Sequence, residues 1–84
     1  MKKVAIVSCD KWKNKITEDL LLEKELIINN IDAEIISWED KSIDYSKYDC
    51  LILRSVWGYQ DKYLEFREWL QMIKNKNIIY KALS

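Results

Sequence analysis

The chain predicts an α/β fold: a small three-layer sandwich around a four-stranded parallel sheet of order 2-1-3-4. Two features carry this reading. Val4 to Val7 and Cys50 to Leu53 are apolar runs without a polar interruption, the pattern of strands covered on both faces. Helical segments separate the strand runs, so the parallel connections cross over right-handedly and leave helices on both faces.

The first strand is entered from Lys2-Lys3 and left through Ser8-Cys9-Asp10. A long helix follows from about Thr17, a side chain suited to N-capping, with Glu18 and Asp19 complementing the positive end of the helix dipole. Asn29-Asn30 should end it in a left-handed cap. Ala33 to Trp38 reads as a second strand, and Glu34 and Ser37 within it indicate the lesser burial of an edge. Glu39 to Asp49 is too short for a long helix but has room for one turn around Asp44 to Lys47. The third strand, Cys50 to Leu53, is central and ends in Arg54-Ser55; a loop from Val56 to Gln60 carries the single glycine. From about Asp61 to Asn75, Tyr63, Phe66, Leu70 and Ile73 recur at helical spacing, and Trp69 widens that stripe into a sheet-covering face. Ile78-Ile79-Tyr80 reads as the fourth strand.

The first helix carries no single stripe. Ile16, Leu20, Leu21, Ile27 and Ile28 occupy one broad side, expected against the sheet, whereas Leu22 and Leu26 form an i, i+4 pair pointing away from it. That pair is either a surface awaiting a partner or is covered by a neighbouring helix or by the tail Lys81 to Ser84.

A chain of 84 residues is one domain with a thin core, burying only about 60% of its unfolded surface. With no histidine and two cysteines far apart, it has no Cys/His zinc module, no Ser-His or Cys-His nucleophile pair and no disulfide framework. Reduced thiols suit the cytoplasm, the expected compartment. No apolar run approaches the roughly 20 residues of a membrane span, and no signal-peptide core is present. Fourteen Lys plus Arg balance fourteen Asp plus Glu, but unevenly: residues 1–17 are basic, 18–49 acidic and the remainder mildly basic. The lysines form no polybasic arm, so neither nucleic acid nor membrane is an expected partner.

Ligands of an open parallel sheet collect beyond the carboxyl ends of its strands, where the connections diverge. Here that crevice lies between strands one and three. It receives Cys9 and Asp10 from the first, and Arg54, Ser55, Trp57 and Tyr59 from the third. Arg54 offers a bidentate fork for a carboxylate or phosphate, and the two rings could wall the site; in the competing reading Arg54 pairs with Asp10 and the rings fill the core. A phosphatase-type Cys9 is disfavoured, because Lys15 stands where that loop needs arginine and the loop lacks glycine. Phosphate-binding glycine motifs cannot be written with one glycine. A receiver domain is disfavoured as well, since its third strand should end in aspartate rather than Arg54.

The runs Val4 to Asp10, Thr17-Glu18-Asp19, Ile35 to Trp38 and above all Leu53-Arg54-Ser55-Val56-Trp57-Gly58-Tyr59 resemble the amino-terminal, Rossmann-like pre-ATP-grasp domain of ATP-grasp ligases. The nearest group is the glutathione-synthetase-like, ribosomal-S6-modification-like and cycloserine-ligase-like one. The resemblance spans nearly the whole chain, with R-S-x-W-x-Y its specific part; Val56 and Gly58 depart from the family's Thr and acid. It implies carboxylate-amine ligation on a small carboxylate or amino-acid substrate. ATP and magnesium would be bound by further domains, so residues 1–84 are expected to be a fragment of a longer ligase, inactive alone and without a cofactor of their own. The expected partners are those ATP-grasp domains or a second copy in a homodimer. Arg54, Ser55, Trp57, Tyr59, Cys9 and Asp10 would then be substrate-binding, with no catalytic or metal-binding residue. The alternative is a free-standing flavodoxin-like module binding a small anion or a protein.

Overall fold

A computed structural model describes residues 2–54, 56 and 62–82. Strand β1 (Lys3–Ser8), helix α1 (Thr17–Ile28), strand β2 (Asp32–Ser37), a 3₁₀ turn (Tyr45–Lys47), strand β3 (Cys50–Leu53), helix α2 (Tyr63–Asn75) and strand β4 (Tyr80–Ala82) follow in order. The sheet is parallel with order β2-β1-β3-β4, as predicted. Val7 is the hinge of the register, opposite Ile36 on one side and Leu53 on the other. No helix among the described residues is long and apolar enough to cross a membrane.

The two sheet faces differ in chemistry. Alternation along the strands sends Ala5, Val7, Ile36, Leu51 and Leu53 to the α2 side, where they pack with Trp38, Tyr45, Tyr48, Trp69 and Ile73. Aromatic edges lock this layer: the Trp38 and Phe66 ring centres are 5.2 Å apart in a T, and the buried Trp69 indole donates to the Tyr45 hydroxyl at 2.9 Å. Val4, Ile6, Ala33 and Ile35 form the thinner opposite layer, and α1 lies over β2.

Both helices end in a Schellman arrangement with asparagine as the left-handed residue. At α1, Asn30 has φ 64°, its N–H reaches the Ile27 carbonyl at 3.0 Å, and the Ile31 N–H reaches Leu26 at 3.0 Å. At α2, Asn77 has φ 57°, with the corresponding bonds from Asn77 to Lys74 at 3.1 Å and from Ile78 to Ile73 at 3.2 Å. This second cap shifts the last strand. Ile78 is spent on closing the helix, so pairing with β3 runs over Tyr80–Ala82 rather than over 78–80. The expected single turn is present, with the Asp44 carboxylate accepting from the Ser46 N–H at 3.0 Å.

Helix α1 departs from expectation at both its start and its orientation. Ile16, extended at φ −102°, is its N-cap without any side-chain bond, and Thr17 is already helical. The helix is also rolled by about half a turn. Buried Asp19 and half-buried Leu22 and Leu26 line the inner side, with half-buried Glu23 at its border, while Leu20, Leu21, Ile27 and Ile28 are exposed by 40, 60, 54 and 65%. Leu22 and Leu26 are thus the sheet-facing pair, and the side expected inside is outside. Tyr63, expected in the α2 stripe, is likewise exposed, one turn before the buried part of that helix begins.

Leu22→Ser or Leu26→Ser should therefore lower stability by about 1–3 kcal/mol, while Leu21→Ser should change it by less than about 0.5 kcal/mol. Urea titration of the three variants checks the assignment.

At the amino end of the sheet the Tyr48 hydroxyl donates to the Glu34 carboxylate, with Lys47 3.5 Å away. That hydrogen bond, helped by Lys47 and Lys3 and opposed by partial burial, holds Glu34 below its ordinary value of 4.5; burial first, and then Glu34, push Tyr48 upward. A depressed carboxylate stabilises the fold above its unfolded pKa, and the contribution is lost as pH falls through the folded one. Tyr48→Phe should cost about 1 kcal/mol at pH 7, solvent screening a Glu34 side chain that is 41% exposed. The difference in melting temperature from the parent chain should shrink as pH falls below 4.5.

Candidate functional site at the carboxyl edge of the sheet

The central strands β1 and β3 end side by side: the Arg54 N–H donates to the Val7 carbonyl at 3.0 Å, and across β1 the Trp38 N–H reaches Ser8 at 3.0 Å. Arg54 therefore begins its course at the tip of β3, against β1. Being two residues beyond Ile52, its side chain leaves on the α1 side. There its Nε donates to Asp19 Oδ1 at 3.2 Å. Asp19 is 1% exposed and the Arg54 side chain 25%, so one end of the pair is desolvated and the other remains open. Among the described residues this is the only ion pair of the guanidinium, and it uses Nε alone. Glu18, Leu21, Leu22, Glu25 and Arg54 line a shallow groove of about 440 Å³ between helix and strand tip.

Cys9 and Asp10 do not join Arg54. The Cys9 side chain is buried in the aromatic layer on the α2 side, and its carbonyl receives the Trp12 and Lys13 N–H groups at 3.1 and 2.8 Å, closing the turn in which Asn14 takes φ 62°. Cys9 and Cys50 are both free thiols. The Asp10 N–H donates to Glu39 Oε1 at 3.1 Å, and the other oxygen of Glu39 meets Lys62, the N-cap residue of α2. Glu39 holds the Lys62 ammonium above its ordinary range. The pairing of Arg54 with Asp10 considered from sequence is thus replaced by Arg54 with Asp19: the arginine leaves on the α1 side, where buried Asp19 lies, while Asp10 sits in the turn that Glu39 ties to Lys62. Ser55, Trp57 and Tyr59 lie outside the described residues.

Three participants were missed in the sequence. Asp19 was read only as a first-turn acid complementing the helix dipole. Glu39 and Lys62 bridge 23 residues, with no local pattern to announce them. Asp19 did carry a signal: it lies one turn before Leu22 and two before Leu26, on the same side of the helix.

The carboxyl edge is thus divided by the sheet. On the α1 side stands a fixed, part-solvated guanidinium; on the α2 side, a Glu39 clamp fastens the β1 turn to the start of α2. The first can receive a carboxylate or phosphate through its remaining N–H groups. The second is engaged with protein. No cluster of metal-ligating side chains occurs among the described residues.

Arg54→Met removes the Nε–H that Asp19 Oδ1 accepts and should lower stability by about 1.5–3 kcal/mol. Arg54→Lys should recover more than half of that in the same denaturant titration.

Residues 4–79 match the family model described as D-cycloserine synthetase DcsG, N-terminal domain. A 45-residue stretch, 54% of the chain, is 29% identical to the cycloserine biosynthesis protein DcsG of Streptomyces lavendulae and covers 15% of that protein. The crystal structure of D-cycloserine synthetase DcsG superposes on 95% of the chain with a TM-score of 0.76 at 22% identity, a likeness of fold. The chain spans 26% of that solved protein.

Proposed function

Given that the chain belongs to the family of D-cycloserine synthetase DcsG N-terminal domains, we propose that it serves an ATP-grasp carboxylate-amine ligase as a substrate-wall and docking domain. Nucleotide, magnesium and the acyl-phosphate chemistry are supplied by other domains. The observation that carries the reading is Arg54: a guanidinium at the tip of a central strand, held through one nitrogen by a buried carboxylate, one-quarter exposed and in no other ion pair among the described residues. Such an arrangement fixes direction before a ligand arrives, so the fork loses little freedom on meeting a carboxylate. Ser55, Trp57 and Tyr59 follow Arg54 directly in the chain and are the proposed wall of the same site. The outer side of α1, rich in large aliphatic residues, is the proposed docking surface. Its likeness to a domain occupying a quarter of a solved synthetase supports a role beside other domains.

Two measurements test the proposal. The 84 residues with magnesium-ATP, an amino acid and a carboxylate donor should release phosphate at the background rate, and turnover above background removes the division of labour. D-cycloserine, the compound named for the relative, should shift the Arg54 side-chain NMR signal, with Arg54→Lys weakening the response by about tenfold through loss of the fork. An unchanged Arg54 signal at millimolar ligand removes the substrate wall.

A further inference from the structure

The outward side of α1 is ordered as a second packing stripe. Thr17, Leu20, Leu21, Lys24, Ile27 and Ile28 follow the spacing i, i+3, i+4, i+7, i+10, i+11, which is that of a helix prepared to meet another helix. The stripe runs the full length of the helix, about 18 Å at 1.5 Å per residue. Its four large aliphatic residues are 40 to 65% exposed. On a domain this small, they form a patch of the kind that marks an interaction surface.

Charge identifies the occupant. The stripe is flanked by Glu18 and Glu25 on one side and Glu23 on the other, with Lys24 in its middle. Among the described residues none of these four takes part in an ion pair. A second copy of the chain would bring acidic flanks against acidic flanks in either orientation, three acids and one lysine per copy. An anionic membrane surface would meet the same repulsion. A helix with Lys or Arg on both flanks and an acid at its centre meets every one of these charges with its opposite. The groove that Arg54 lines with Glu18 and Glu25 continues the stripe toward the strand tips.

We infer that α1 is the receptor for an amphipathic helix of another domain or protein, with an apolar stripe, basic flanks and a central acid. The inference deepens the docking half of the proposed function and rests on that reading. Two 18-residue peptides with the same leucine stripe test it, one with lysine flanks and a central glutamate and the other with these charges exchanged. The basic-flanked peptide should bind about tenfold more tightly, shift the backbone amide signals of residues 17–28, and lose its advantage in 0.5 M salt as the flanks are screened. Leu21→Lys and Ile28→Lys, both on the exposed side, should abolish binding with the melting temperature unchanged. Equal affinity of the two peptides, or no binding by either, overturns the inference. So does self-association of the chain in sedimentation equilibrium that Leu21→Lys abolishes. The Arg54 response to D-cycloserine is read at the opposite end of the groove. If it persists while peptide binding fails, the helix partner alone is wrong; if peptide binding persists without it, the substrate wall alone is wrong.

Discussion

The orientation of α1 rests on one desolvated charge. Asp19 lies 1% exposed beneath the helix, and Arg54 reaches it from the tip of β3. An unpaired carboxylate in that position would cost several kcal/mol, whereas a leucine turned outward costs about 1.5–3 kcal/mol. The helix offers apolar residues on both sides: Leu22 and Leu26 on one, Leu20, Leu21, Ile27 and Ile28 on the other. Burial alone would favour the larger set. The ion pair selects the smaller, since only with Asp19 facing the sheet do Leu22 and Leu26, one and two turns further on, come to lie beneath the helix. Once α1 is seated this way, the strand tip is bound to the helix start, Arg54 is aimed, and the large aliphatic face points outward.

This accounts for what was legible in the sequence. The strands were, because apolar runs such as Val4 to Val7 and Cys50 to Leu53 need cover; β2 does lie at the edge, but not through lesser burial, since Ser37 is 1% exposed, whereas in central β3 Cys50 and Ile52 are only half-buried. The sheet order then follows from short right-handed crossovers. The roll of α1 was not, because helical periodicity weighs apolar residues and overlooks a carboxylate that will be paired with an arginine 35 positions away. The displacement of β4 has a similar origin. Ile78 looks like strand by composition, but Asn77 can adopt a left-handed conformation and draws it into the helix cap. In both cases a polar residue with a specific partner outweighed the bulk preference of its neighbours.

The site was legible in part for a related reason. Reading which residues follow a strand places Arg54 at the crevice but leaves open which face of the sheet it serves. Two-residue alternation settles that: positions 50, 52 and 54 share the α1 side, whereas Cys9 continues the series of Ala5 and Val7 toward α2. Residues neighbouring at the strand ends are thus divided between a packed aromatic layer and a solvated groove. Glu39 and Lys62 belong to neither, and their clamp fastens the turn after β1 to α2.

In the proposed role Arg54 would carry two duties that pull in different directions. As the partner of Asp19 it contributes to stability, and a contact through both ends of the guanidinium would serve that purpose better than one through Nε. As a recognition group it needs its remaining N–H groups turned to the groove, at some loss in pairing energy. The geometry is compatible with both: a single 3.2 Å contact to a carboxylate that is itself sealed from water, and a side chain one-quarter exposed. Because the anchoring carboxylate belongs to α1, any force that shifts this helix shifts the arginine too. A partner seated on the outer face of α1 would press on the element that aims Arg54, coupling occupancy of the docking surface to the direction of the guanidinium through one buried ion pair.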